Sequence, residues 1–388
     1  MRGVSSLFTS LLPGIASAAA VTVYLILLLK VESQTGIAAL LVVGVIVVLI
    51  AARFGTMTRI GRSFGERETT FNVLIILAAL VLTGFFYEDH FALLLIATVI
   101  IYVVAALGLN IQFGYVGMLN FAGAAFFGVG CYTSAVLTVN TPVPHLLILV
   151  IGGIMAAIIG SLLILPVLRT RGHYSAVITI AFGLLFKIFL EVNDVLGGPQ
   201  GLRVNGMNVL GWEFNNNIEI GEDFEASFYI SYIVVGLVLL ALTFALVKRL
   251  ERSWIGLNLD AIRLDETAAK CFGLNLIRWK ITAFTLGNFL AGMAGALYAM
   301  MVGFIAPTNF TFADSLILVS IVLLGGIGNP WGLVVATAIL VIVPEKLQAI
   351  QEYRFLLFGA MVILMLLFRP EGLLPRPLRT YFPGWQPR

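Results

Sequence analysis

Charge is scarce in this sequence. Asp, Glu, Lys and Arg make up 11% of its 388 residues, against roughly a quarter in soluble domains. With 60% hydrophobic residues and a mean hydropathy of +1.04, that shortage excludes a water-soluble fold. Cysteine and histidine are scarcer still. Cys131 sits in an apolar segment and Cys271 in a charged loop, while His90, His145 and His173 are scattered, so neither a disulfide framework nor metal-ligand spacing can be built. No Gly-Lys dipeptide occurs, which removes the phosphate-binding loop Gly-x-x-x-x-Gly-Lys-Ser/Thr and ATP hydrolysis by that route. The net charge is only +3 and no basic run is interleaved with aromatics, so nucleic acid is not expected as a partner.

The apolar stretches also lack chemistry. They contain no Ser, His and Asp grouping, no His-Glu-x-x-His helix and no close carboxylate pair, and Lys187 is the only ionisable side chain well inside one of them. No catalytic residue is therefore assigned. A membrane-embedded enzyme or an ion-coupled transporter would need ionisable groups buried together.

What the chain does have is a series of runs near the ~20 apolar residues needed to cross a bilayer. The expected spans are 11–29, 36–52, 70–86, 91–112, 116–138, 146–168, 175–190, 227–247, 281–303, a broken segment 315–343, and 355–369. Backbone groups in lipid must be satisfied internally, so these are helices. The expected fold is all-α: a polytopic transmembrane helical bundle of about 10 spans with discontinuous or re-entrant helices. Arg2, an apolar run and the small residues Ala16, Ser17 and Ala18 imitate a secretory signal. The run continues from Val21 to Leu29, so a retained first helix is expected.

Basic residues set the orientation. Of the 23, 18 fall at the N-terminus, in the loops near 53–69, 169–174 and 248–280, and in the tail from 369, which places those segments and both termini in the cytoplasm. The opposite loops collect 13 of the 20 acidic residues. The expected organisation is an N-terminal helical part with a basic loop (1–69), a membrane core (70–375) and a cytoplasmic tail (376–388). The core carries an acidic outer loop (191–226) and a cytoplasmic loop (248–280).

Four features stand out. The stretch 108–132 contains Asn110, Gln112, Tyr115 and Asn120, followed by Phe121, with Gly114 and Gly117 loosening the backbone. Uncharged hydrogen-bonding groups between apolar flanks suit a passage for a polar solute, and equally suit bridges between helices. In the loop 248–280, residues 259–273 read as a short helix ending at Gly273. Gly325, Gly326, Gly328 and Pro330 break the segment 315–343 into a helical hairpin or half-helices. Ala283, Gly287, Ala291, Gly295, Ala299 and Gly303 form a small-residue stripe, echoed by Gly152, Ala156 and Gly160, which points to close helix packing inside the subunit.

Between about Leu93 and Leu374 the chain resembles the M-type permease subunit of the high-affinity branched-chain amino acid ABC importers. The most specific piece is Gly-Leu-Asn … Gly-Tyr-Val-Gly … Leu-Asn-Phe … Gly-x-x-Phe-Phe … Gly-x-Tyr in 108–132. Support comes from Gly-Gly-Pro-Gln-Gly-Leu at 197–202, from Ala261-Ile262-Arg263 with Glu266, Ala268 and Ala269, from Gly325-Gly326-Ile327-Gly328, and from Arg369-Pro370-Glu371-Gly372-Leu373. The resemblance implies that Arg263, Glu266, Ala268, Ala269 and Gly273 belong to a coupling helix that docks on an ATPase, with Thr267 inserted after the Glu. It also implies that Asn110, Gln112, Tyr115, Asn120 and Phe121 belong to the translocation pathway. Implied partners are a second homologous permease, two ATPase subunits that bind ATP and Mg, a periplasmic amino-acid-binding protein, and lipid of the bacterial inner membrane. This chain is expected to hold no cofactor itself. The neighbouring alternative is a urea or short-chain amide permease, which tends to have Leu-Ser-Leu-Gly-His where this chain has Leu119-Asn120-Phe121-Ala122-Gly123.

Overall fold

A computed structural model describes residues 2–53, 68–168, 174–219, 225–347, 352–368, 372–374 and 376. The basic loop at 54–67, Arg169, Arg171, His173, the triplet Arg369-Pro370-Glu371 and the tail after Arg376 lie outside the described residues.

The long apolar runs form helices, and several of them open on a polar residue whose side chain closes the first turn. Three helices come first: α1 (Arg2–Lys30), α2 (Gln34–Arg53) and α3 (Glu68–Phe85). Asp89 then caps α4 (His90–Asn110), its Oδ1 accepting the N–H groups of Phe91 and Ala92, each at 3.0 Å. There follow α5 (Gly123–Asn140), α6 (His145–Leu168), α7 (Tyr174–Val192) and α8 (Tyr229–Glu251). Two short loop helices, α9 (Trp254–Leu264) and α10 (Glu266–Cys271), precede α11 (Leu276–Val302), whose first turn is closed by Asn275. The chain finishes with α12 (Phe312–Gly325), α13 (Pro330–Lys346) and α14 (Arg354–Phe368). Thr311 and Asp314 close the start of α12 with a reciprocal capping box.

Among the described residues, seven helical stretches are long and apolar enough to cross a membrane, and three shorter apolar stretches lie in α1 to α3. The all-α polytopic architecture expected from composition is therefore present. Among the described residues, strand is confined to three two-stranded ribbons: β1 (Leu202–Arg203) with β6 (Phe304–Ile305), β2 (Asn208–Val209) with β3 (Trp212–Glu213), and β4 (Ile218–Glu219) with β5 (Glu225–Ala226). Five of these six strands fall in the acidic loop between α7 and α8.

The small-residue stripe is where the bundle closes. In lipid there is no hydrophobic drive between helices, so association depends on close van der Waals contact. α11 packs against α4, α5 and α6. A Cβ on Gly287 would stand 2.4 Å from the Gly108 carbonyl oxygen, and one on Gly295 would stand 2.0 Å from that of Phe127. Backbones meet directly at both places, and Gly152, Ala156 and Gly160 present the matching face of α6. The stripe thus serves packing within this subunit. α4, flanked on its other sides by α8 and α13, is the most enclosed span, whereas α7 is 17% buried and turns Leu184, Leu185, Ile188 and Phe189 outward. Lys187 pairs with Glu191 one turn along α7, at 3.3 Å.

Two expectations about helix limits are corrected. The span expected at 116–138 starts only at Gly123, because α4 runs on as a π-helical turn (Ile111–Val116) and then stops. Gly117 takes φ +75°, the N–H of Met118 reaches back to the Gln112 carbonyl at 2.9 Å, and 118–122 is not helical. The single loop helix expected at 259–273 is two helices, since Asp265 adopts extended backbone and caps α10 through Thr267 and Ala268 N–H. It does end as expected, with Gly273 at φ +78°.

Candidate functional site

The interrupted end of α4 is built on Gln112. Its Nε2 donates to the Phe284 carbonyl (3.1 Å) and to Asn288 Oδ1 (2.9 Å) on α11, while its Oε1 accepts from Asn120 Nδ2 at 2.7 Å. Asn120 turns its own Oδ1 to the N–H of Ala122 (2.9 Å), and Thr179 of α7 accepts the N–H of Phe121 (3.0 Å). Part of the buried non-helical backbone before α5 is thus satisfied by side chains. Asn110 holds the other side: its Oδ1 accepts the N–H of Gly328 at 2.8 Å, inside the break between α12 and α13. Asn110, Gln112, Tyr115 and Asn120 are each no more than 1% exposed.

A π turn widens the helix and leaves carbonyls available to outside donors. The Gly114 carbonyl uses this: it accepts Arg263 Nη1 at 2.6 Å and Arg376 Nη1 at 3.3 Å. A Cβ at Gly114 would fall 2.5 Å from Asn110 Oδ1 and 2.7 Å from the Gly328 backbone, so only glycine fits between the turn and the break. Beside it the Tyr115 hydroxyl donates to Glu251 at the end of α8.

The loop helices lie directly against this turn. α9 buries Leu259 and Ile262 and sends Arg263 to the Gly114 carbonyl. α10 buries Ala269 alone and leaves Glu266 and Ala268 outward; Glu266 pairs with Lys280 of α11 at 2.7 Å. Leu264 and Phe272, at the two ends of this short segment, are each 86% exposed.

The break expected at 325–330 is a tight turn. Gly326 and Gly328 take φ +114° and +85°, a region that favours glycine, and Asn329 caps the next helix through the N–H of Trp331 at 3.0 Å. Pro330 opens α13, where its missing N–H costs nothing. α12 and α13 then meet backbone to backbone, since a Cβ on Gly332 would lie 1.8 Å from the Gly325 carbonyl oxygen.

The structure therefore brings together what the sequence presents as three separate features: the polar stretch, the helix break and the loop at Arg263. It does not bring Glu266, Ala268 or Gly273 to the polar network; they sit on the outer side of the loop. Of the five residues expected along a pathway, four are engaged inside the subunit. Phe121 alone keeps a half-buried side chain, beside Phe113 and Phe312. Sequence reasoning missed Asn288, Thr179, Glu251, Asp260 and Arg376. Asn288 could have been found as a lone amide inside the small-residue stripe. Nothing local marks the others.

Comparison with known proteins agrees with this architecture. Residues 91–366 match the family model described as the permease component of the branched-chain amino acid transport system. The chain is similar to the high-affinity branched-chain amino acid transport system permease protein LivM of Escherichia coli strain K12. The two are 37% identical over 288 residues, covering 71% of this chain and 68% of the relative. It is 26% identical over 337 residues to the probable branched-chain amino acid transport permease protein LivM of Methanocaldococcus jannaschii, covering 72% of this chain and 92% of that one. It is also 27% identical over 288 residues to the permease protein LivH of the high-affinity branched-chain amino acid transport system of E. coli K12, covering 71% of this chain and 92% of that one. No solved structure matches.

Proposed function

This chain belongs to the branched-chain amino acid transport permease family, and we propose that it forms half of the membrane pathway of an ATP-driven importer for branched-chain amino acids. It carries no catalytic group of its own in this reading. A second homologous permease completes the pathway, two ATPase subunits bind ATP and Mg, and a periplasmic binding protein delivers the solute. The chain lies in the bacterial inner membrane with both termini in the cytoplasm, so the α9–α10 loop faces the ATPases and the ribbons between α7 and α8 face the receptor.

The observation that carries this reading is the contact of the loop with the interrupted helix. A docking segment needs an outward face for its partner and an inward grip on the spans. Leu264, Ala268 and Phe272 supply the first, with Glu266 tied back to Lys280 and Gly273 ending the segment. Arg263 supplies the second by holding the Gly114 carbonyl. Movement of the loop would thus reach the π turn, and through Gly114, Gln112 and Asn120 the non-helical stretch 118–122. The solute is taken to pass that stretch on the Phe121 side, with Asn110, Gln112, Tyr115 and Asn120 fixing the shape of the wall.

The test is uptake of labelled leucine, alanine and urea into proteoliposomes holding the complete complex and its receptor. Leucine import that requires internal ATP is expected. Uptake without ATP, or of urea alone, would overturn the assignment.

A further inference from the structure

Near the C-terminus Gly372, Leu373, Leu374 and Arg376 carry no step of the reading above, yet they are stitched to three elements. The last carbonyls of a helix lack intrahelical partners, and here the N–H of Leu373 reaches the Leu324 carbonyl at 2.7 Å and that of Leu374 the Gly325 carbonyl at 3.2 Å. Gly372, at φ +76°, lies so close on the break that a Cβ there would stand 2.3 Å from Gly326 Cα. Arg376 follows. Its Nη2 pairs with Asp260 Oδ1 of α9 at 2.7 Å, and its Nη1 donates to the Gly114 carbonyl. Its guanidinium lies 5.0 Å from the centre of the Tyr115 ring. Its aliphatic stem covers Gly328, where an added Cβ would meet Arg376 Cδ at 2.7 Å.

One side chain thus touches the loop helix α9, the π turn of α4 and the turn between α12 and α13. The Arg376 and Asp260 side chains are 18% and 15% exposed, so the pair is largely shielded from solvent screening. A planar guanidinium can address a carboxylate and a carbonyl at once while stacking on a ring, which an ammonium cannot.

We propose that Arg376 is a positioning residue that clamps α9 to the π turn and to the α12–α13 break, so that the three move as one body during transport. The inference rests on the loop being the coupling segment, and that premise has its own control in Glu266→Arg.

The experiment measures leucine molecules imported per ATP hydrolysed by the complete complex with its receptor in proteoliposomes. Arg376→Gln should lower that ratio by about fivefold, a size within the range reported for residues along coupled networks. Asp260→Asn should lower it comparably, and the double variant should fall no further than the weaker single, since both remove one clamp. Arg376→Lys, which keeps the charge and serves if the Gln variant fails to assemble, should give an intermediate ratio. A normal ratio in Arg376→Lys and Arg376→Gln, with import abolished by Glu266→Arg, would overturn the clamp and leave the coupling loop standing. Independent, multiplying losses in the double variant would overturn it as well. Normal import in Glu266→Arg would remove the premise, and the clamp with it.

Discussion

Gln112 offers the sharpest test of how the interrupted helix is held. Replacing it by Leu preserves approximate volume and deletes three hydrogen bonds: those to the Phe284 carbonyl, to Asn288 Oδ1 and from Asn120 Nδ2. Interhelical bonds in membranes average about 0.6 kcal/mol, which sets a floor near 2 kcal/mol for the three. Truncation also strands two polar atoms, Asn120 Nδ2 and Asn288 Oδ1, in a region with almost no solvent contact. At about 1–3 kcal/mol for each stranded group, the ceiling is about 6 kcal/mol. The assay is reversible unfolding of the purified chain in mixed micelles, titrated with a denaturing detergent. A loss of at least about 2 kcal/mol is expected. Asn288→Leu in the same background should cost less than it does alone, because its partner is already gone. Gln112→Leu unfolding within about 0.5 kcal/mol of the parent would refute the network as a structural support.

Other substitutions probe the remaining parts. Gly332→Ala drives a Cβ to within 1.8 Å of the Gly325 carbonyl oxygen, so α12 and α13 must part, with a loss of about 1–3 kcal/mol or more in the same unfolding assay. Asp265→Ala removes the cap on α10 and should lower stability by about 1 kcal/mol, with a local rise in amide exchange at Thr267 and Ala268 read by mass spectrometry. Leu264→Asp and Phe272→Asp alter side chains that are 86% exposed. They should leave unfolding unchanged while co-purification of the ATPase subunits falls sharply; unchanged co-purification would remove the exposed loop face from the docking surface.

Much of the fold was legible because lipid simplifies the code. An apolar run of the right length has to be a helix, and Gly325, Gly326, Gly328 and Pro330 announce a break that no helix can absorb. The stop at Val116 was not legible, since Met118, Leu119 and Phe121 continue the apolar pattern. The partner that satisfies the Phe121 N–H, Thr179, lies 58 residues away. Asp265 reads as one more charge in a polar helix until its side chain is seen capping the next one. Residue types at 108–132 left a passage and a set of helix bridges equally open. The structure shows Gln112 bridging to α11, Asn110 holding the Gly328 turn and Asn120 bonded to Gln112. Arg376 meets Asp260 across 116 residues of chain, a juxtaposition that follows from the packing of α9, α4 and the break rather than from any local pattern.

The central claim is that ATP hydrolysis by partner subunits reaches the spans through the α9–α10 loop. The measurement that tests it most directly is ATP-dependent leucine uptake by the assembled complex carrying Glu266→Arg, beside wild type. The reversed charge would face Lys280 and disrupt the seat of α10, so the account predicts that import is lost although the permease still folds. Undiminished, ATP-dependent import by that variant would contradict it.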